Sequence, residues 1–272
     1  MLTEEQRARR LEGLGASDSS IVMGYSSYKT PYQLYLEKIG TISSDEEETE
    51  QQYWGKMLEK VIIQRFEEDT GFKVTFPDTI YHPEYPFIFA NLDGWIESEK
   101  AVVEAKCVNS FQKREWEHGP PLGYLIQIAK QCIVTNANYG YFAVLAGGME
   151  FFMCRYERDA GLEALIIESD LEFWHKVQSR TEPDPINTSD CRLKFNSPHP
   201  DKVAQSTYRT SKALIDLQNL KLKLKNFEIE EDAIKMALMS HMGNAEYLVG
   251  QEGEVLATWK ANKKGTRVFN IK

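Results

Sequence analysis

The chain has 272 residues, 42% hydrophobic and 27% charged, with a formal net charge of −9 at pH 7. This is the composition of a folded chain long enough to bury its own core, and it excludes intrinsic disorder and fibrous architecture. Cys107, Cys132, Cys154 and Cys191 form no CxxC pair and no Cys/His cluster, which argues against structural zinc and a disulfide framework and fits a reducing cytosol.

In chain order, the opening MLTEEQRARRLEG has no apolar signal core, so the expectation is a cytoplasmic protein. No apolar run approaches the ~18 residues of a membrane helix. Ser17 is read as the N-cap of a short helix ending near Gly24. Thr30, Pro31 and Gly40 punctuate a second helix. The run Asp45–Glu50 is a solvated acidic loop, followed by a helix with Trp54, Met57, Leu58, Val61, Ile62 and Phe66 on its apolar stripe and Gly71 at its end.

Strand patterns follow. Residues 73–76 are extended, and 87–96 with 101–108 form a hairpin turning at 97–100. A helix from Leu122 to Thr135 precedes a second hairpin, 139–146 with 149–156, turning at Gly147-Gly148. A helix over 162–177 is broken by Glu182-Pro183-Asp184-Pro185, residues 186–201 are loop-like, and 203–242 is a long helix with a leucine stripe. That stripe, short for confident heptads, reads as intramolecular or subunit packing. The tail carries paired strands at 255–260 and 267–271. The organisation is a core over 1–185, a linker-like segment at 186–202 and an appendage over 203–272.

The first hairpin carries the chemistry. If its turn centres between Ser98 and Glu99, paired residue numbers sum to 197 and Asp93 faces Glu104, with Lys106 on the same face. Two carboxylates and one ammonium then share a face of otherwise apolar strands. Buried carboxylates need a cation or strong hydrogen bonds. Magnesium suits them, a hard ion held by one or two carboxylates, waters and substrate phosphate. The bland alternative is a salt bridge on a solvated sheet face, and a one-residue register slip would separate the acids. Tyr124, Gln127 and Gln131 share a helix face. The five histidines are scattered, which disfavours a histidine-based hydrolase.

Several blocks in fixed order resemble the lambda-exonuclease-like, YqaJ-type phage recombinase branch of the PD-(D/E)xK nucleases. They are Gly15-Ala16-Ser17-Asp18, Lys29-Thr30-Pro31-Tyr32-Gln33-Leu34-Tyr35, Gly55-x-x-Leu58-Glu59, Ala90-Asn91-Leu92-Asp93-Gly94, Glu104-Ala105-Lys106 and Tyr124-x-x-Gln127. The resemblance implies an α/β (α+β) restriction-endonuclease-like core, a central mixed sheet flanked by helices, with the C-terminal part as a helical and short-strand appendage. It implies a 5′→3′ exonuclease on double-stranded DNA ends, leaving single strands for an annealing protein. Asp93, Glu104 and the Ala105 carbonyl would bind two Mg2+ ions, with Mn2+ able to substitute, and Glu59 would support them. Lys106 would position the attacking water, and Gln127 would touch that water or the scissile phosphate. Arg10 and Ser17, with Asn91 and Tyr124, would contact the terminal 5′ phosphate and the DNA; Arg7 and Arg9 are neighbouring alternatives to Arg10. A homotrimer and a phage or prophage origin are also implied.

The negative charge sits awkwardly with DNA, but it is uneven: residues 201–272 carry 12 Lys/Arg against 9 Asp/Glu. Lys221/Lys223/Lys225 and Lys260/Lys263/Lys264/Arg267 are candidate backbone contacts, or plain solvated charges. A structure-selective or restriction-like endonuclease, and a non-catalytic DNA-binding module, are the competing readings, since the acid–lysine centre does not encode end dependence.

Overall fold

Period-two alternation around Glu104 becomes the inner strand of a mixed sheet. The computed structural model describes residues 11–43 and 49–272, in two units that part between Pro198 and His199. The first unit contains α1 (Asp18–Val22), α2 (Pro31–Lys38), α3 (Glu50–Thr70), β1 (Ile80–Tyr81), β2 (Phe89–Ala90), β3 (Gly94–Ile96), β4 (Ala101–Val108), α4 (Leu122–Thr135), β5 (Tyr139–Ala146), β6 (Glu150–Glu157), α5 (Ala160–Gln178) and α6 (Thr188–Lys194). The main sheet runs β3-β4-β5-β6, and β1-β2 form a separate ribbon. Strands β4 and β5 are parallel while the outer pairs are antiparallel. A parallel pair needs a crossover, and α4 supplies it.

Helices cover both faces. Ile62, Ile63 and Phe66 of α3 pack on Ile96, Ala101, Val103 and Ala143. On the other face Ile126, Ile128, Ala129 and Cys132 of α4 pack on Val102, Phe142 and Val144. Each fully buried aliphatic side chain is worth about 1.5–3 kcal/mol. A buried ion pair joins α4 to α5: Lys130 Nζ lies 2.7 Å from Asp170 Oδ2, with both side chains fully buried. Ser19 of α1 donates to the same carboxylate at 2.9 Å.

Local signals explain several boundaries. Thr30 and Gln33 form a capping box before Pro31. Thr49 and Gln52 form another at the start of α3, so the last two residues of the acidic stretch belong to that helix's entry and not to a loop; residues 45–48 lie outside the described residues. Gly71, at φ 73°, closes α3 in the left-handed conformation.

Other expectations need correction. Ser17 precedes α1 but does not cap it: its backbone is already helical (φ −70°, ψ −22°), whereas a capping side chain needs an extended residue to fold back. Asp18 closes that turn instead, accepting the Gly15 N–H at 3.0 Å. On α3, Trp54, Met57 and Val61 are exposed, because the buried face is centred on Ile62, Ile63 and Phe66. The expected strand over 87–96 is split into β2 and β3, pairing with β1 and β4 in turn. Residues 73–76 contribute only a bridge from Thr75 to Trp95. Residues 186–201 are not all loop: Asn187 caps α6, and the buried Asp190 accepts from Thr30 Oγ1 at 2.7 Å.

The second unit has one long helix, α7 (Tyr208–Met242), and a three-stranded antiparallel sheet of β7 (Tyr247–Val249), β8 (Val255–Ala261) and β9 (Arg267–Ile271). The sequence pattern predicts only the last two of these strands, because β7, at three residues, is too short to show an alternation. Arg267 is a structural residue here: it lies 3.6 Å over the Trp259 ring and donates to the carbonyls of Gly243 and Ala245 at 2.8 and 2.5 Å. Its guanidinium is therefore held by contacts within the fold. No helix among the described residues is long and apolar enough to cross a membrane.

Candidate active site

The β3–β4 register places the acids. Gly94 pairs with Val103, Trp95 with Val102 and Ile96 with Ala101, so each pair sums to 197. Asp93 stands one residue before this ladder, and its Oδ2 accepts the Ala105 N–H at 2.9 Å, which fixes it beside Glu104. Gly94 permits that approach, since a Cβ there would lie 2.4 Å from Val74 Cγ1. Any side chain at 94 would run into Val74 and displace the strand start, and Asp93 with it.

Glu104 and Lys106 point toward α4, as alternation requires. The Glu104 carboxylate is 2% exposed. Its Oε1 accepts from Lys106 Nζ at 2.6 Å and Gln127 Nε2 at 2.5 Å, while its Oε2 accepts from Gln131 Nε2 at 2.5 Å. Gln127 Oε1 in turn accepts from Lys106 Nζ at 3.1 Å. Tyr124, one turn earlier on α4, places its ring centroid 4.7 Å from the same ammonium. Gln131 was noted in sequence only as sharing this face. Its role as a Glu104 partner needed the crossing of α4 over β4.

The electrostatics are those of a site with excess negative charge. Burial, followed by repulsion from Glu104 and Glu59, pushes the Asp93 carboxyl well above its ordinary value, against the pull of Lys106 and the Ala105 N–H. Burial and then Glu104 raise Glu59 of α3. Burial alone would lower Lys106, but Glu104 and Asp93 outweigh it and raise the ammonium's pKa, so Lys106 stays protonated at neutral pH.

This donor set fits a divalent cation. It offers hard carboxylate oxygens, and the repulsion among Asp93, Glu104 and Glu59 is what a divalent cation would relieve. Among the described residues no three Asp, Glu, His or Cys groups converge to cage one ion. Glu59 therefore does not join Asp93 and Glu104 in a three-acid cage. Of the two Glu104 oxygens, Oε1 already accepts from both Lys106 and Gln127, whereas Oε2 accepts from Gln131 alone and keeps a lone pair that a cation could use.

A cleft of about 600 Å3 adjoins these residues, lined by Ser17, Tyr25, Tyr28, Lys29, Tyr124 and Gln127 among others. Ser17 is exposed at this cleft. Asn91 is exposed, and its Oδ1 accepts from Thr79 Oγ1 at 2.7 Å. The three arginines at 7, 9 and 10 lie outside the described residues.

Comparison with known proteins adds the lineage. Residues 6–138 match the model of the YqaJ-like viral recombinase domain. Over 269 residues the chain is 32% identical to the uncharacterized protein YqaJ of Bacillus subtilis (strain 168), covering 96% of this chain and 84% of that protein. The crystal structure of an alkaline exonuclease, LHK-Exo, from Laribacter hongkongensis matches with TM-score 0.57 at 25% identity, over 71% of this chain and 97% of that one. The same exonuclease in complex with dAMP matches with TM-score 0.57 at 27% identity, over 65% and 94%. A putative exonuclease from Eubacterium rectale shares the fold at TM-score 0.50 and 12% identity, over 76% and 96%. With its mixed sheet flanked by helices and its acid–acid–lysine hairpin, the chain has the PD-(D/E)xK exonuclease fold and belongs to the YqaJ-like viral recombinase family.

Proposed function

We propose that this protein is a divalent-metal-dependent DNA exonuclease of phage-type recombination, degrading double-stranded ends 5′→3′ with Mg2+ or Mn2+. The observation that carries this reading is the hairpin itself: Asp93 fixed beside Glu104 by the Ala105 N–H, with Lys106 and Gln127 on the same carboxylate. Kinship with an exonuclease crystallised with dAMP supports a nucleotide-releasing reaction.

Asp93, Glu104 and the Ala105 carbonyl would hold the ions, with Glu59 behind them. Bound there, divalent ions supply Lewis-acid stabilisation of the attacking and leaving oxygens of a phosphodiester. Lys106, held protonated by its two acidic neighbours, serves as a donor and positive charge rather than a base. It orients the attacking water and opposes the negative charge that develops on the phosphorus oxygens. Gln127 bridges Lys106 and Glu104 and can present its amide to a phosphate oxygen. Ser17 and Tyr124, which line the cleft, together with Arg10 and Asn91 would anchor the terminal 5′ phosphate and its strand. A homotrimer acting in the bacterial cytoplasm with a single-strand annealing protein completes the reading.

The test uses duplex labelled at either 5′ or 3′ ends and covalently closed circular duplex, each with Mg2+ and with excess chelator. Metal-dependent release of mononucleotide from the 5′ label, with the circle intact, is expected. Cleavage of the circle would favour the endonuclease reading. Folded protein that binds ends but cuts neither substrate would favour a non-catalytic module.

A further inference from the structure

Ser17 lies in a turn whose other residues are held one by one. Leu14 exchanges backbone hydrogen bonds with Phe87 and Phe89, at 2.6 and 3.1 Å. Asp18 accepts from the Gly15 N–H and, through the same oxygen, from Lys38 Nζ at 2.8 Å. Ser19 is fully buried, and its hydroxyl lies 2.9 Å from both oxygens of Asp170, the acid paired with Lys130. Ser20 Oγ donates to the Ser17 carbonyl at 2.9 Å. Between residues 13 and 20 only Ser17 is exposed, and it opens on the cleft.

Lys130 belongs to α4, the helix that brings Gln127 and Gln131 to Glu104. The chain leaving α1 lies directly on the first turn of that helix: a Cβ at Gly123 would stand 3.2 Å from the Tyr25 carbonyl oxygen. One helix therefore carries the partners of the metal-binding acid and, through Lys130 and Asp170, the tether of the Ser17 turn. Burial opposes ionisation of Asp18, but Lys38 and then Lys130 outweigh it and hold the carboxyl below its ordinary value, so the two ion pairs act as one cluster. A buried ion pair is a poor device for stability alone, since apolar side chains of like volume often serve a core equally well. What the ions and the hydroxyl add is direction. Ser19 must stay where both Asp170 oxygens can accept it, and Ser17 is two bonds of backbone away.

We propose that Lys130, Asp170 and Ser19 are positioning residues, which hold Ser17 in fixed register with the Glu104–Lys106 centre so that the turn selects a terminal 5′ phosphate. The proposal rests on the reading of Ser17 as a contact to that phosphate. The test is binding of the full chain to duplexes ending in a 5′ phosphate or a 5′ hydroxyl, read by fluorescence anisotropy with Ca2+ in place of Mg2+. The parent should favour the phosphate by roughly tenfold or more, the strength of one hydrogen bond to a charged group. Ser19→Ala, which leaves Lys130 and Asp170 paired, and Lys130→Met/Asp170→Leu should each bring that preference toward parity. In both, affinity for the hydroxyl end should stay at the parental level. A merely structural role would weaken both ends together, and that result overturns the proposal. So does a folded variant that keeps the parental preference, or a parent that binds both ends alike and leaves nothing to position. Turnover in Mg2+, run in parallel, separates this from the exonuclease reading: a parent that prefers the phosphate but releases no nucleotide defeats that reading and not the positioning. Urea titration shows whether each variant is folded under the assay conditions, and Ser19→Ala decides the question if the double variant is not.

Discussion

The Ala105 N–H reaches Asp93 Oδ2 at 2.9 Å, so a backbone donor of the catalytic strand holds in place an acid that is no longer part of the sheet ladder. The peptide that donates to Asp93 thus belongs to the residue between Glu104 and Lys106. Positions of the three groups are consequently coupled, and changes at any of them should be read together.

Lys106→Ala should abolish cleavage while sparing fold and DNA binding. It removes a largely buried cation, and losing one such preorganised donor costs about 3–4 kcal/mol of transition-state stabilisation. Glu104→Gln should also be inactive, and is a cleaner change than Glu104→Ala, which strands three buried donors. Single-turnover rates, with binding measured by fluorescence anisotropy, provide the check; a folded Lys106→Ala protein cutting at the parental rate would remove the assignment.

The metal-free protein should lose stability as pH rises. The native Asp93 carboxyl holds its proton above the ordinary value of 3.8, because burial and then Glu104 and Glu59 disfavour the anion. Stability from this group is complete below 3.8 and is lost as pH climbs through the raised native value. Asp93→Asn should therefore stabilise the metal-free protein at neutral pH, and it should weaken the stabilisation by added Mg2+. Thermal melts across pH, with and without Mg2+, measure both effects. A parental protein whose metal-free stability is flat from pH 4 to 8 would contradict this account.

Calcium should bind without supporting turnover. It accepts oxygen ligands but tolerates longer distances and higher coordination than magnesium, so reacting groups would not be held in line. Calcium added to a magnesium reaction should inhibit competitively, and full activity in verified metal-free buffer would refute metal dependence.

Linear DNA with a 5′ phosphate should be degraded faster than DNA with a 5′ hydroxyl. A terminal phosphate carries more charge than an internal diester and is a good partner for a guanidinium. Arg10→Ala should erase most of the preference and slow initiation, leaving already engaged enzyme nearly unaffected. A preference that vanishes instead in Arg7→Ala or Arg9→Ala would reassign the residue and retain the mechanism.

Lys130→Met should destabilise the fold by about 3–5 kcal/mol, since it leaves Asp170 buried without its cation. The double variant Lys130→Met/Asp170→Leu should recover much of that loss. Urea titrations of the two single variants and the double variant test the coupling.

Local grammar made much of this legible. Capping boxes at Thr30 and α4's limits follow from neighbours a few residues apart, and the hairpin register follows from its turn, so Asp93 and Glu104 could be paired on paper. What sequence concealed was long-range. Nothing in residues 87–96 announces that β2 leaves to pair with Ile80 and Tyr81, nor that Asp170 would meet Lys130 across 40 residues. Ser17 misled because a serine before a helix resembles a cap whether or not its backbone is extended.

Strand β4 is flanked on both sides, by the β3 ladder and by eight register pairs with β5. Amides of such an inner strand become accessible to solvent deuterium only through large-scale opening. The residues that hold the reacting groups should therefore be among the slowest to exchange, whereas the cleft wall at Tyr25–Lys29, outside any helix or strand, should exchange fast. Adaptation to successive nucleotides would then fall to that wall and to α4's side chains, while the acids stay fixed.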